Sequence, residues 1–445
     1  MTAQSPWFVD LRPEWERGQT RRFFELRKEM NNRGVDEQVL SLTLRGVVRN
    51  DPDDPEGLVP SDYNSYQILE AQDLVFKLID LENRRTSRVG FVPERGIMSP
   101  AYIRLVPRPG VVPRYGYWYF YSLWARNIFN ELGGGVRATL GPGDLLAIPI
   151  SLPPVEEQRR IADFLDDQVA RIEQVLSDHR SQLFGLDEEL LSEWNTRALE
   201  LDSKFRTTTL RRALSSIVDG PFGSSLTSNH YTESGTRVIR LGNIGRNEFL
   251  DVDKAFISNT YADTLSQHAV IPGDLLVAGL GDAAHPLGRA TVAPADLGPA
   301  IVKADCYRVR LRPLVDASFA AWYLSSPPAA GTISILARGS TRARLNTDVV
   351  RDAPIVIPPL ETQAKVVRSW SNVVERHEAV RATLMNARSL LEERKRAVIT
   401  AAVTGELDVT SARPIGVGKW VPNVGASVDN ATAGRAQAPS IGGIG

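Results

Sequence analysis

The chain has 445 residues, 42% of them hydrophobic, which is enough for two or three domains that each have a core. Its 52 basic and 53 acidic residues leave a formal charge of −1, which argues against a generally basic nucleic-acid binder. A single cysteine excludes a disulfide framework and a cysteine-rich metal site. No signal-peptide pattern and no run of about 18 apolar residues is present, so we expect a cytoplasmic protein.

The first part of the chain has the pattern of a mixed α/β domain. Its residues predict, in order, a helix at 21–30, strands at 39–44 and 74–79, and an aromatic helix at 115–129. We expect the aromatic side chains to form a core, and a platform on which bases stack is the alternative.

A segment at the end of this domain occurs twice. Residues 148–158 contain Pro-Pro-Val-Glu-Glu-Gln, and residues 353–363 contain Pro-Pro-Leu-Glu-Thr-Gln at an offset of 205 residues. The correspondence continues back without a gap to Arg137 and Arg342. A repeat of this length indicates two similar halves rather than a solenoid of small units.

Each copy of the repeat leads into a long helix. Pro-Pro gives an extended entry, and the glutamates that follow favour a helix N-terminus. Apolar residues then recur every three or four positions over about four heptads, which predicts a coiled-coil seam. The predicted seam contains Leu165, Val169, Ile172, Leu176, Leu183, Leu186, Trp370, Val373, Val380, Leu384 and Leu391.

The two seams predict how the halves are joined. Each stripe is too narrow for a domain core, so each helix needs a partner of similar length, and the nearest is the other copy. Because a whole domain lies between the copies, an antiparallel pair with pseudo-two-fold symmetry is expected. The predicted class is α+β: two α/β domains separated and joined by two long helices that form an antiparallel coiled coil.

The second half repeats the plan of the first with different residues. A turn-rich loop, Asp-Gly-Pro-Phe-Gly-Ser-Ser-Leu at 219–226, has no counterpart in the first half. After about residue 407 the chain is rich in Gly, Ala, Ser and Pro, which predicts disorder. The predicted divisions are a first domain at 1–152, a first spacer helix at 153–203, a second domain at 204–357, a second spacer helix at 358–407 and a tail at 408–445.

With these motifs the chain resembles the specificity subunit of type I restriction–modification systems. The resemblance rests on two variable domains, each closed by Gly-x-x-Arg-x-x-Leu and followed by Pro-Ile-x-x-Pro-Pro-(Val/Leu)-Glu-x-Gln and a long helix. Gly220–Leu226, Val238–Arg240 and Gly273–Val277 add shorter matches. Two departures are the missing Gly-Pro-Phe-Gly-Ser loop in the first domain and Thr362 in place of a second glutamate.

The resemblance implies a function in phage defence. Each variable domain would read one half of a split, asymmetric sequence in double-stranded DNA, and the helices would set the spacing. Two adenine-N6 methyltransferase (modification) subunits would dock on the helices, and restriction subunits with translocase activity would join the full complex. The resemblance implies no catalytic residue, no metal and no cofactor in this chain, since cofactor and ATP would belong to the partners.

Residues for DNA contact are expected in exposed loops that carry Arg, Asn, Ser and Thr, because these side chains bond base edges and phosphates. An ordinary surface or turn role is the alternative for each. The predicted DNA-binding residues are Arg84, Arg85, Arg88, Arg137 and Thr139 in the first domain, and Ser224, Ser225, Asn243, Arg289, Arg338, Ser340, Thr341 and Arg342 in the second.

Two other functions compete with DNA recognition: that of an enzyme and that of a protein scaffold. Gly279-Leu-Gly-Asp-Ala-Ala284 imitates a dinucleotide fingerprint, but Pro286 and Gly288 interrupt the helix that should follow, and no phosphate-binding Walker loop is present. The chain is therefore not expected to be an enzyme. A coiled-coil scaffold with two β-rich protein-interaction domains is the competing function, and the near-zero net charge favours it slightly.

Overall fold

The computed structural model describes residues 12, 14–32, 38–50, 63–82, 86–134, 138–282, 285–337 and 344–409. The chain divides into two compact units. The first comprises Met1–Asp178 with Asn386–Gly445, and the second comprises His179–Met385. Over the described ranges, no helix is both long and apolar enough to span a membrane. The predicted disordered tail lies, from residue 410 on, outside the described residues.

The first unit is built from short strands and helices. In chain order these are β1 (Glu16–Gln19), α1 (Thr20–Phe23), β2 (Phe24–Leu26), β3 (Leu40–Thr43), β4 (Gly46–Arg49), β5 (Gln67–Leu69), β6 (Leu74–Phe76), β7 (Val89–Phe91), β8 (Gly96–Met98), β9 (Ile103–Pro107), α2 (Pro113–Ala125), α3 (Ile128–Leu132), α4 (Pro142–Ala147), β10 (Pro149–Leu152) and the start of α5 (Val155–Lys204). An antiparallel sheet has the order β2-β9-β6-β7.

The helix predicted at 21–30 is shorter than expected. It ends at Phe23, and Phe24–Leu26 enters the sheet beside β9, with Phe24 opposite Pro107. Phe24 is 1% exposed there. Sheet pairing and burial therefore override the local helical preference.

The aromatic helix α2 forms the core of the first unit. The ring of Phe120 meets Phe24 and Phe76 edge-on, at centroid distances of 5.5 and 5.0 Å. Gly116 allows this contact, because a Cβ on it would lie 2.7 Å from the Phe24 ring. Tyr115, Trp118 and their neighbours on α2 are buried, so their faces are not available to stack on bases.

The second unit repeats the sheet of the first. Its elements are the rest of α5, then β11 (Thr208–Thr209), β12 (Leu214–Asp219), β13 (Tyr231–Thr232), β14 (Thr236–Ile239), β15 (Phe256–Ile257), α6 (Asn259–Thr264), β16 (Ala269–Val270), β17 (Leu275–Ala278), β18 (Ala290–Val292), β19 (Ala300–Val302), β20 (Cys306–Leu311), α7 (Ala317–Leu324), α8 (Pro327–Leu336), α9 (Thr347–Asp352), β21 (Pro354–Ile355) and the start of α10 (Leu360–Thr404). The order β12-β20-β17-β18 matches β2-β9-β6-β7 strand for strand, and all neighbours are antiparallel.

Beyond this shared sheet, the second unit has an additional five-stranded sheet. Its order is β13-β15-β14-β19-β16, with β14 and β19 parallel. In both units the residue that ends the Gly-x-x-Arg-x-x-Leu motif is held in the same way. The Leu140 amide donates to the Leu78 carbonyl at 2.9 Å, and the Leu345 amide donates to the Gly279 carbonyl at 2.8 Å. The repeat in the sequence is thus a repeat in the fold.

The long helices α5 and α10 pair in an antiparallel coiled coil, as predicted. In the second unit Asp187 pairs with Arg381, Trp194 with Trp370 and Arg197 with Ser369, so residue numbers fall on one helix as they rise on the other. In the first unit the Lys395 ammonium lies 2.6 Å from Glu173. Apolar residues of both helices continue into the domain cores.

The predicted seam residues occupy three environments. Leu165, Ile172, Leu176, Leu183, Trp370 and Val373 are buried, and Val169, Leu186, Leu384 and Leu391 are partly buried. Val380 is instead 48% exposed. The next residue, Arg381, turns inward there because it pairs with Asp187, and the apolar stripe is interrupted at that point.

Candidate nucleic-acid interface

In the second unit, the ends of strands β12, β17 and β20 meet at one edge of the four-stranded sheet, together with the loops attached to them. β20 is antiparallel to both β12 and β17, so the C-terminal ends of β12 and β17 lie beside the N-terminal end of β20. The second loop edge is defined here as residues 219–226, 279–282, 303–305 and 344–345. Two backbone bonds close it: the Gly279 amide donates to the Asp305 carbonyl at 2.7 Å, and the Leu345 amide donates to the Gly279 carbonyl at 2.8 Å.

Asp219 and Gly220 hold two of these loops together. The Asp219 carboxylate accepts from the Gly220 amide at 2.7 Å and from the Asp305 amide at 3.0 Å. A Cβ on Gly220 would lie 2.0 Å from the carbonyl carbon of Lys303, so only glycine permits this backbone contact. The Gly-Pro-Phe-Gly-Ser loop therefore rests directly on the turn at 303–305.

Burial changes the acid–base behaviour of this contact. It raises the pKa of Asp219 to about 6, despite the two amide donors. The pKa of Tyr307 is raised as well, first by burial and then by the carboxylates of Asp219 and Asp305. Burial also raises the pKa of the Cys306 thiol, which keeps this cysteine neutral and unreactive.

The exposed side of the second loop edge carries an aromatic ring, cations and hydroxyls. Phe222 is 47% exposed, and the Arg344 guanidinium lies 5.2 Å from its ring centroid. Arg344 also pairs with Asp305 at 2.6 Å, and the Lys303 ammonium lies 5.6 Å from the Tyr231 ring. These are the groups that stack on bases and contact phosphates.

The equivalent edge of the first unit carries charged side chains of both signs. The C-terminal ends of β2 and β6 meet the N-terminal end of β9 there. The first loop edge is defined as residues 27–29, 77–82, 99–102 and 138–139. Arg27 and Lys28 are exposed, while burial and the charge of Arg88 lower the pKa of Lys77. The Leu81 amide donates to the Ala138 carbonyl at 3.0 Å, which places 138–139 at this edge.

Three of the predicted DNA-binding residues are exposed at these edges. Thr139 lies at the first, and Ser224 and Ser225 lie at the second. The Tyr261 hydroxyl donates to the Ser225 carbonyl at 2.7 Å, and its ring stacks on His230, which fixes the end of the serine loop. Seven others lie outside the described residues: Arg84, Arg85, Arg137, Arg338, Ser340, Thr341 and Arg342.

The other three predicted residues, Arg88, Asn243 and Arg289, are buried. Arg289 is 5% exposed and donates to the carbonyls of Ile244, Leu280 and Leu241 at 2.7, 2.8 and 3.0 Å. Burial lowers its pKa. A side chain already committed to three backbone carbonyls supports the loops from below, and the structure adds no support for its predicted contact with DNA.

Asn243 and Arg88 have the same kind of surroundings. The Asn243 amide donates to the carbonyls of Leu250 and Val252 at 2.9 and 2.7 Å. Arg88 is 1% exposed and donates to the Asp80 carbonyl at 2.6 Å, and burial lowers its pKa. DNA contact by either residue stays a prediction from the sequence, to which the structure adds no support.

The sequence did not single out the most prominent exposed groups of the edges. Phe222 lies in the recognised Gly-Pro-Phe-Gly-Ser loop, and Arg344 lies two residues beyond the predicted Arg342, so local motifs pointed near both. Lys303, Arg27 and Lys28 have no motif around them. Only the antiparallel pairing of distant strands brings them to the loop edges.

Comparison with known proteins agrees with the predicted resemblance. Residues 59–178 match the family model described as the type I restriction modification DNA specificity domain. None of the curated proteins searched matches the chain. A chain from a structure titled as the basis of complex assembly and conformational transition of the type I R-M system has 16% identity and a TM-score of 0.68, with 90% of this chain and 100% of that chain covered.

Two further solved structures are more distant. The HsdS subunit from Thermoanaerobacter tengcongensis has 16% identity over 89% of this chain and 98% of its own, at a TM-score of 0.47. The type I restriction-modification S subunit from M. genitalium has 14% identity over 88% of this chain and 98% of its own, at a TM-score of 0.33. The family match and the shared fold of the first structure together confirm the resemblance predicted from the sequence.

Proposed function

We propose that this chain, which matches a type I DNA specificity domain over residues 59–178 and shares the fold of a chain from a type I R-M system, reads one half of a split DNA target with each loop edge. The observation that carries the proposal is the repeated four-stranded sheet. The same strand ends form a loop edge in each unit, but the residues exposed there differ. Two similar readers with different side chains predict a bipartite and asymmetric target.

The chemistry of the second loop edge supports contact with duplex DNA. The Arg344 side chain is 48% exposed and can reach a phosphate from its position beside Asp305, whose own side chain is 16% exposed. Phe222, Ser224 and Ser225 offer an apolar face and hydroxyls for base edges.

We assign the helix pair the role of a spacer and a docking surface. Its length would set the distance between the half-sites at about one turn of DNA. Phe184 and Leu191 on α5 are 64% and 39% exposed, and such apolar side chains favour binding of a partner helix. The partners would be two modification subunits, with restriction subunits in the full complex. The chain itself would be non-catalytic, without a cofactor, and would act in the cytoplasm.

Binding to DNA across a range of salt concentrations tests this function. Phosphate contacts release counterions, so the affinity of the complex for its target should fall steeply as salt rises. The purified chain with its modification subunits is titrated with duplexes that contain the methylated motif, and with scrambled duplexes. Equal, weak and salt-independent binding of both duplexes would contradict the proposal and favour a protein scaffold.

A further inference from the structure

A buried glutamine follows the Pro-Pro motif in each copy of the repeat. Gln158 is 1% exposed and Gln363 is 0% exposed, although each lies in the first turn of a long helix. Neither belongs to a loop edge or to the seam between the helices. A primary amide buried this deeply must satisfy two donors and an acceptor within the protein.

In the first unit Gln158 joins two segments of backbone through three hydrogen bonds. Its Nε2 donates to the Pro153 carbonyl at 2.8 Å and to the Gly110 carbonyl at 3.0 Å. Its Oε1 accepts from the Val112 amide at 2.7 Å. Val112 is the residue that precedes α2, so the glutamine connects the start of α5 to the turn between β9 and α2.

Gln363 makes the same three bonds in the second unit. Its Nε2 donates to the Pro358 carbonyl at 2.7 Å and to the Leu314 carbonyl at 3.0 Å, and its Oε1 accepts from the Asp316 amide at 2.8 Å. Asp316 is the N-cap of α7. The glutamine therefore connects the start of α10 to the turn between β20 and α7.

The bonds determine which way the amide faces. A flipped amide would place its NH2 against a backbone N–H and its oxygen against two carbonyls, so only one orientation is compatible with the surroundings. Each recognition sheet is thus attached to its long helix at a joint with three defined hydrogen bonds.

The joint lies at the end of the strand opposite to the loop edge. β9 and β20 begin at the loop edges, and the turns that follow them contact the glutamines. With strand and turn spanning roughly 25 Å, a rotation of about 10° at the joint would move the loop edge by about 4 Å. The rise of DNA is about 3.4 Å per base pair, so this movement corresponds to one base pair.

We propose that Gln158 and Gln363 are positioning residues that fix the angle between each loop edge and its helix, and thereby the spacing of the two half-sites. The inference rests on the proposed function. Two properties of a split target are then determined at different places. The bases of each half-site are read at the loop edges. The number of base pairs between the half-sites is restricted at the joints.

The test is single-molecule sequencing of N6-methyladenine in cells that carry the full chain with its modification subunits. Gln158→Met and Gln363→Met keep the length of the side chain but remove all three hydrogen bonds. Each variant should methylate the same half-site bases, and also sites whose spacer differs by one base pair, to about a tenth or more of the cognate level. Gln174→Met, at an exposed position on α5, is the matched control and should keep the single spacer.

Each other outcome rejects the inference. A single spacer in both methionine variants, with half-sites unchanged, would overturn it while leaving the proposed function intact. Altered half-site bases, or loss of methylation by variants that still fold and bind their partners, would also overturn it. If the wild-type chain directs no split motif, the proposed function itself has failed.

A second variant keeps the test decisive if the methionine variants do not fold. Gln158→Glu places a carboxylate against the carbonyls of Gly110 and Pro153, so its neutral form is favoured and its pKa is raised. Protonation restores one donor. At about pH 8.5 the purified complex of this variant should also methylate sites whose spacer differs by one base pair, and at about pH 6 it should methylate only sites with the cognate spacer. The wild-type complex should methylate only sites with the cognate spacer at both pH values. Equal tolerance of the variant at the two pH values would overturn the inference.

Discussion

At the scale of single residues, the half-exposed Arg344 side chain pairs with the largely buried Asp305 beside the Phe222 ring. If Arg344 binds a phosphate, Arg344→Ala should weaken binding to every DNA sequence by about tenfold and lower the dependence of log affinity on log salt by about 1. The measurement is titration of the assembled complex at several salt concentrations.

Arg211 provides the matched control for that substitution. It is similarly exposed and pairs with Asp352 at 2.9 Å, but it lies at the start of β12, away from the second loop edge. Arg211→Ala should leave affinity and salt dependence unchanged. Equal effects of the two substitutions would show that Arg344 has no particular role in DNA binding.

Asp219 predicts a pH dependence of stability. Its pKa rises from 3.8 to about 6 on folding, so the folded protein holds this proton more tightly than the unfolded chain does. The wild type therefore loses stability as pH rises from about 4 to about 6 and does not regain it above. Asp219→Asn keeps the acceptor for the two amides without the charge.

We expect Asp219→Asn to raise the free energy of unfolding at about pH 7.5, and we expect this gain to shrink toward about pH 4. Urea titration at several pH values measures it. Asp348→Asn, at a site 73% exposed, controls for removal of one carboxylate. A variant less stable than the wild type at about pH 7.5 would contradict the assignment.

Residue roles were the least predictable part of the site. Ser224 and Ser225 were expected at an exposed loop, and they are exposed. Arg289 and Asn243 looked similar in sequence, yet they are buried because nearby carbonyls of the loops need donors. Which polar side chain satisfies the backbone depends on loop conformations that carry no periodic signal.

At the scale of elements, the long helices were predictable because their heptads repeat over many turns. The interruption of the apolar stripe at Val380 could not be predicted, since it follows from the pairing of Arg381 with Asp187 across the two helices. The order of the strands within each sheet could not be predicted from the sequence either. The pattern of short apolar runs predicts strands, but it does not say that β9 lies between β2 and β6.

The helices also carry a prediction about length. Removal of residues 183–189 from α5 together with 378–384 from α10 deletes one paired heptad in the second unit and shortens the pair by about 10 Å. The spacer between half-sites should then shorten by about three base pairs, with both half-sites unchanged. Sequencing of methylated sites reports spacer and half-sites together.

Replacement of the same residues by another heptad of equal length is the control. It should leave the spacer as it is in the wild type, because only length is proposed to matter. If the deletion complex still methylates DNA at the original spacer, the helix pair does not determine the distance.

At the scale of the whole molecule, the two units use one sheet topology to present two different sets of side chains. The repeat in the sequence accounts for the equivalent joints at Gln158 and Gln363, while the different residues at the loop edges would give each unit its own half-site. Each loop edge would therefore read its own half-site independently of the other loop edge.

The most direct test is a map of N6-methyladenine in cells that carry the modification subunits with either the wild-type chain or the Phe222→Ala/Arg344→Ala variant. We predict a bipartite asymmetric motif for the wild type. In the variant, one half-site should lose sequence preference while the other half-site and the spacer stay the same. A continuous motif for the wild type, or a variant in which both half-sites change together, would contradict the account.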